Sequence, residues 1–354
     1  MDKAELEAIV RGDGELPIVN EVDCSHGDYR GARFAGGTFH RVSFRGADLR
    51  GAACKEAEFL HCDFSDAQLD DADLHLASAI EGGFERASLR RARLSYTSLL
   101  QGRLTGAVLE GAVLSNTSFV QCDLSDTHIA PPEGQHIQFI EADLRRARFS
   151  GARLYRPNFI QCRTEGVDLT GAELASPMFL QADFADYDFT PLQITMPQFH
   201  QSTLDRAVFR GMDLTQIGLV ETAAEGADFS DCNLTSAMML NGKLRGANFT
   251  RARLDQALLL EADLRECRLD GARAVQARLT SANCMLAVFT GADLTYVDFS
   301  HANLVRADLR NTRLYEANLH EIEDADADWR GSGRSAARGT DTARARAEAF
   351  TPAS

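Results

Sequence analysis

Basic residues are in deficit: 37 Lys and Arg stand against 52 Asp and Glu, a net charge of −15 over 354 residues. That balance argues against direct nucleic-acid binding, which requires basic patches. Long apolar runs are missing as well. No stretch approaches the roughly eighteen residues of a membrane span, and the opening MDKAELEAIV lacks a basic segment followed by an apolar core. A cytoplasmic protein with no membrane contact is expected. The eight cysteines show no CxxC and no Cys/His spacing, so neither a zinc signature nor a disulfide framework is legible. Buried free thiols in a reducing compartment are expected instead. Gly-rich phosphate loops and nucleophile elbows are also lacking.

What is present is a period. From Cys24 to Leu319 every fifth residue is of a buried type, and only Gly134 and Thr164 are neither aliphatic, aromatic nor cysteine. Two residues before each stands a small residue, most often alanine. Five matches neither the 3.6 of a helix nor the 2.0 of a strand. Self-similarity at a fixed period marks a stacked repeat, in which each coil buries its apolar face against its neighbours. All eight cysteines fall on the large or the small inward slot.

The units GADLR (46–50), GANFT (246–250) and EADLR (261–265) are similar to those of the pentapeptide-repeat family, over roughly residues 22–329. That resemblance implies an all-β fold, a right-handed quadrilateral β-helix with four pentapeptides per coil and about 15 coils. Residues 1–21 are expected to cap its start, with a short helix over 3–11 carrying Leu6, Ile9 and Val10. Asp324 in a large slot is expected to end the stacking, and Trp329 to close the last coil. Residues 330–354 have almost no large apolar side chains and are expected to be a disordered tail.

Two segments strain the pattern. Pro131 and Pro132 fall together beside Gly134, and a short loop is expected over 129–137, because proline cannot donate a ladder hydrogen bond. Between 187 and 224 the small slots hold Tyr187, Leu192, Pro197, Ser202, Met212, Ile217 and Thr222, which predicts distorted coils with compensated packing.

Sorting by twenty reads one face at a time. On one face the residue after the large slot is Leu60, Ile80, Leu100, Val120, Ile140, Ile160, Leu180, His200, Val220, Leu240 and Leu260. All but His200 are aliphatic. Gln101, Gln121, Glu141, Gln161, Gln181 and Gln201 follow them. An exposed apolar strip with a polar rim marks an interaction surface, against the alternative that stacked aliphatics reinforce the ladder. The expected site is a protein interface of the ten aliphatics with Gln121, Gln161 and Gln181. It would serve a non-enzymatic scaffold or adaptor, binding a protein partner or a second copy. No catalytic residue, cofactor or metal site is expected, since the nine histidines fall on outward positions without clustering.

The family resemblance adds two functional expectations. Plain, loop-poor bacterial members suggest an adaptor beside secretion or effector-delivery machinery. The alternative is a DNA mimic that binds and protects DNA gyrase, of the quinolone-resistance or toxin-immunity type. Against it, the acidic columns are interrupted: Asp28 and Asp48 give way to Arg148, and Asp123 and Asp143 to Arg163. A phosphate mimic needs a continuous anionic ladder.

Overall fold

The computed structural model describes residues 3–12 and 16–349. The chain falls into two compact units, Met1–Asp183 with Pro191–Ile194 and Phe184–Thr190 with Thr195–Ser354. The division lies where Tyr187 and Leu192 occupy small slots. Leu192 is buried whereas Tyr187 is only half-buried, so the interior takes one oversized residue and expels part of the other.

The first unit opens with helix α1, Lys3–Arg11. Leu6 and Val10 lie one turn apart and are fully buried, while Ile9 is half-buried. The Val10 carbonyl accepts the Arg33 N–H at 2.8 Å, tying the cap to the ladder. Strands Val19–Asn20, Thr38–His40, Glu58–Leu60, Ser78–Ile80, Ser98–Leu100, Ser118–Val120, Gln138–Ile140, Asn158–Ile160 and Met178–Leu180 then pair in parallel, each with the strand twenty residues on. Register is strict: Phe119 lies opposite Phe139, and Val120 opposite Ile140. The stacking vector is therefore the sequence period itself.

Corners are made by backbone conformation. The first residue of nearly every pentapeptide has positive φ, as at Gly46 (62°) and Gly106 (69°), which is why the unit so often begins with glycine. His61 (52°), Asp66 (61°) and Gln121 (52°) take the same conformation. The left-handed region is costly for side-chain-bearing residues, so tertiary stacking imposes it on them.

Inside, phenylalanines stack in columns. Ring centroids lie 5.3 Å apart for Phe119–Phe139, 5.0 Å for Phe139–Phe159 and 4.9 Å for Phe159–Phe179. In the second unit Phe189, Phe209, Phe229 and Phe249 repeat the motif at 4.5, 5.0 and 5.2 Å. Small-slot Cys62, Cys122 and Cys162 are buried and send their thiols toward the carbonyls of Phe39, Leu99 and Phe139.

Regular strands build a β-solenoid of about nine turns, and the twenty-residue step behind the expectation of about fifteen continues past them. In the second unit the same twenty-residue step runs mainly through isolated parallel bridges, from Thr203↔Ala223 to Asn318↔Arg338. A bridge fixes one residue pair per side rather than three.

The loop expected at 129–137 is confined to 130–133, which lack the turn and bridge of the regular units. Gly134–Gln135 pairs in register with Leu154 and Tyr155, and the prolines are accommodated by a one-residue shift that buries Pro131 and exposes Pro132. A Cβ on Gly134 would meet Ile137 Cδ1 at 2.7 Å and Leu154 Cδ2 at 2.8 Å. Its large slot is filled by its neighbours.

The tail expected to be disordered is ordered over its described part. Residues Arg334–Ala336 form a 3-10 turn, and Thr342–Glu348 form helix α2, capped by the Asp341 carboxylate accepting the Ala343 and Arg344 N–H groups. Polar anchoring replaces the missing apolar side chains. Asp324 is tolerated in its large slot because Trp329 Nε1 donates to it at 3.1 Å and Arg334 pairs with it at 2.6 Å. The Arg334 guanidinium also lies over the Trp329 ring, 4.3 Å from its centre.

Candidate interaction face

On each three-residue strand of the first unit, the middle side chain enters the core and its two neighbours face outward. Leu60, Ile80, Leu100, Val120, Ile140, Ile160 and Leu180 are the third residues of consecutive strands. All seven are half-buried rather than exposed, because in-register stacking covers each with the side chains one turn above and below. Beside them stand Ser78, Ser98, Ser118, Gln138, Asn158 and Met178. From Ser78 to Leu180, neither outward column of this sheet contains a charged residue, in a chain that is 25% charged.

One rim of the face is an amide ladder. Gln101 Nε2 donates to Gln121 Oε1 at 3.1 Å, Gln121 Nε2 to Glu141 Oε2 at 2.9 Å, and Gln161 Nε2 to Gln181 Oε1 at 2.7 Å. All five sit at positive φ in the corner, exposed. A shallow depression next to them is lined by Gln121, Asp123, Glu141, Asp143, Gln161 and Arg163.

The second unit carries Val220, Leu240 and Leu260, also half-buried. They stand on bridged corners rather than strands, so the period places the residues correctly and the extended sheet does not accompany them. His200 ends the strand Gln198–His200.

The electrostatics follow a rule that column-by-column inspection of acids alone does not reveal. Five corner aspartates are matched by arginines twenty positions on. Asp66–Arg86 meet through two hydrogen bonds of 2.7 and 2.8 Å, Asp71–Arg91 through 2.9 and 2.6 Å, and Asp126–Arg146 through 2.8 and 2.7 Å. Asp186–Arg206 and Asp231–Arg251 repeat this in the second unit. A second set pairs within the turn: Asp28–Arg30, Asp48–Arg50 and Asp143–Arg145. In each of these, hydrogen bonds from the arginine hold the carboxyl below its ordinary range.

The thiols offer no nucleophile. Burial pushes Cys62, Cys122, Cys162 and Cys232 up to about 11, and Cys54 up to about 12. One expectation about histidines is corrected: His301 and His320 come together, with ring centres 5.2 Å apart and His320 only 1% exposed. Their 19-residue spacing, one short of a full turn, is the signal that reading by strict columns passes over. Among the described residues, no helix is long and apolar enough to cross a membrane.

The pentapeptide-repeat model matches in 8 copies, over residues 20–52, 39–75, 87–126, 219–251, 247–283 and 282–320, which together make up more than half of the chain. The chain belongs to the pentapeptide-repeat family. Among solved structures it is similar to full-length QnrB1, a plasmid-mediated fluoroquinolone resistance protein, with 20% identity over 57% of this chain and 92% of that one and a TM-score of 0.42. It is also similar to HetL, a pentapeptide-repeat protein involved in heterocyst differentiation regulation in the cyanobacterium Nostoc sp. strain PCC 7120. There the identity is 19%, over 85% of this chain and 90% of that one, with a TM-score of 0.25. No curated protein matches the chain. As a pentapeptide-repeat protein it is a repeat scaffold.

Proposed function

We propose that this pentapeptide-repeat protein is a non-enzymatic binding scaffold whose docking surface is the uncharged sheet face of the first unit, centred on Val120, Ile140 and Ile160. The observation that carries this reading is the absence of charge over six consecutive strands, Ser78–Ile80 to Met178–Leu180. Ladder reinforcement explains the aliphatic column, because stacked β-branched neighbours stabilise a sheet. It does not explain why the neighbouring outward column holds only Ser, Gln, Asn and Met, where exposed Lys, Glu or Arg would cost the ladder nothing. Charge depletion at the centre of a patch is a compositional mark of protein interfaces.

Size limits what the face can do alone. Five ladder steps of about 4.8 Å and three residues of about 3.3 Å give a patch of roughly 24 by 10 Å. A stable interface buries about 800 Å² per partner, so the patch is an interface core, and the partner must also cover the Gln101–Gln181 column. The test is positional crosslinking in cells. A photoreactive residue replaces Ser118 or Gln138 on the face, or Val113, an exposed residue (39%) on another side. A discrete protein adduct from Ser118 and Gln138 but not from Val113 supports docking there, and an adduct the size of a dimer identifies the partner as a second copy. Equal or absent adducts from all three positions refute it.

A further inference from the structure

We propose that His301, Glu321 and Glu348 form a binding site for a divalent transition-metal ion, which fastens helix α2 to the turns beneath it. With His320 these residues bring four ligand-type atoms within 4.8 Å of one another. Glu348 Oε2 lies 3.3 Å from His301 Nε2, and Glu321 Oε2 lies 3.5 Å from His301 Nδ1. Nitrogen and oxygen ligands sit about 2.0–2.2 Å from zinc, so adjacent ligand atoms around one ion are roughly 3.0–3.5 Å apart. The Glu348–His301 separation already has that value, and the exposed Glu321 offers a carboxylate oxygen within 4.8 Å of the other ligand atoms.

The role of His320 follows from its hydrogen bonds. Its Nδ1 accepts the Asp341 N–H at 3.1 Å, so that nitrogen is unprotonated and the ring proton is on Nε2. Nε2–H then donates to Glu348 Oε2 at 3.0 Å. A proton-bearing Nε2 has no lone pair for a metal. His320 instead orients a ligand carboxylate from outside the coordination sphere, as hydrogen-bonded neighbours of metal ligands commonly do. His301 differs. Both its ring nitrogens face carboxylates, and in the neutral ring the nitrogen without a proton is the metal-ligating atom.

Charge agrees with this assignment. Glu348 presents Oε2 to both histidines, at 3.0 Å from His320 Nε2 and 3.3 Å from His301 Nε2. Glu321 adds a second carboxylate, while Arg344, 2.7 Å from Glu348 Oε1, opposes a cation. The helix itself supplies the structural reason for a tether. Its seven residues bury nothing, and a helix so short is marginal without outside contacts. One arm of the site is on α2 and the other two are on the repeat, so an ion bridges them.

Zinc chloride is titrated calorimetrically into the full chain at neutral pH, and the same samples are digested with trypsin, which cuts after Arg344 and Arg346 within α2. One-to-one micromolar binding is expected, with zinc slowing both cleavages. His301→Ala and Glu321→Gln should each weaken binding by about tenfold or more. Both residues are on the surface, and Glu321→Gln is nearly isosteric, so the fold is retained. The proposal is overturned if the wild type shows no saturable binding, or if both variants bind as the wild type does.

Discussion

The aliphatic column of the first unit makes a quantitative demand that separates its structural contribution from any docking role. Ile140 and Ile160 are direct register partners, and both are half-buried. Changing both to Thr keeps branching at Cβ, and with it strand preference, while removing two apolar carbons per site. At about 0.8 kcal/mol per buried CH₂, scaled by half for partial burial, each change costs about 1 kcal/mol and the pair about 2 kcal/mol. The Asp pair is a poorer probe of docking because it adds two like charges one ladder step apart. At about 4.8 Å and an effective dielectric of 20–80, that repulsion is about 1–3 kcal/mol. The introduced carboxyls would then titrate above their ordinary range in the folded state, so the extra loss is absent at acid pH and grows as pH rises through the carboxylate range. Global melting mixes the two units. Native-state hydrogen exchange of peptides covering 118–180 reports the local opening energy instead. For the Thr pair, 2 kcal/mol corresponds to exchange faster by about 30-fold. A control at the exposed corner residue Tyr96 should stay within about 0.5 kcal/mol. Acceleration under about threefold in the Thr pair would refute the ladder account and leave the column explicable only by what binds to it.

Gly134→Ala should destabilise the first unit by about 1–3 kcal/mol, measured by urea denaturation, because its Cβ meets Ile137 and Leu154 at 2.7 and 2.8 Å; a neutral result would show that this slot is not filled by its neighbours. Asp66, Asp71 and Asp126 have folded pKa values lowered by their arginines, so their stabilisation is present above the unfolded value of about 3.9 and is lost as pH falls below it. Circular dichroism should accordingly hold steady from neutral pH down to about 4, and a transition above pH 5 would contradict those pairings. Purified protein should neither inhibit gyrase supercoiling nor rescue gyrase from quinolones at micromolar concentration, since arginines engage the corner aspartates Asp66, Asp71, Asp126, Asp186 and Asp231; clear rescue would reverse that conclusion.

How much of this was legible beforehand depends on which interaction sets each residue. The five-residue period and its small slots are imposed by a narrow interior, so they are visible in one sequence, as are the capping residues Leu6 and Val10. The aliphatic column was legible too, because one face repeats every twenty residues. Its half-burial was not, since exposure depends on the turn above and below. The regular strands ending at His200 also escaped notice: Val220, Leu240 and Leu260 keep the period where only single bridges form. The tail misled for a different reason. Composition measures apolar content, whereas Arg334, Asp341 and Glu348 order it through individual polar contacts that need Asp324, Trp329 and His320 already in place.

The same distinction governs charge. Counted along the chain, 52 acids against 37 bases suggest an anionic surface. Counted through space, each Asp66–Arg86 type of pair cancels across one turn, and the arginine binds both carboxylate oxygens, leaving them with diminished capacity to imitate a phosphate. Position in the coil explains why the pairing is so regular. The left-handed corner residue at Asp66, Asp71, Asp126, Asp186 and Asp231 directs its side chain along the stack, and the residue twenty positions on is the first it can reach. A sequence built on this period therefore selects its surface charges in vertical pairs. The sheet face from Ser78 to Leu180 has no such pairs to neutralise because it has no charges to begin with, and that difference between two sides of one unit is what supports the proposal that this face is the docking surface.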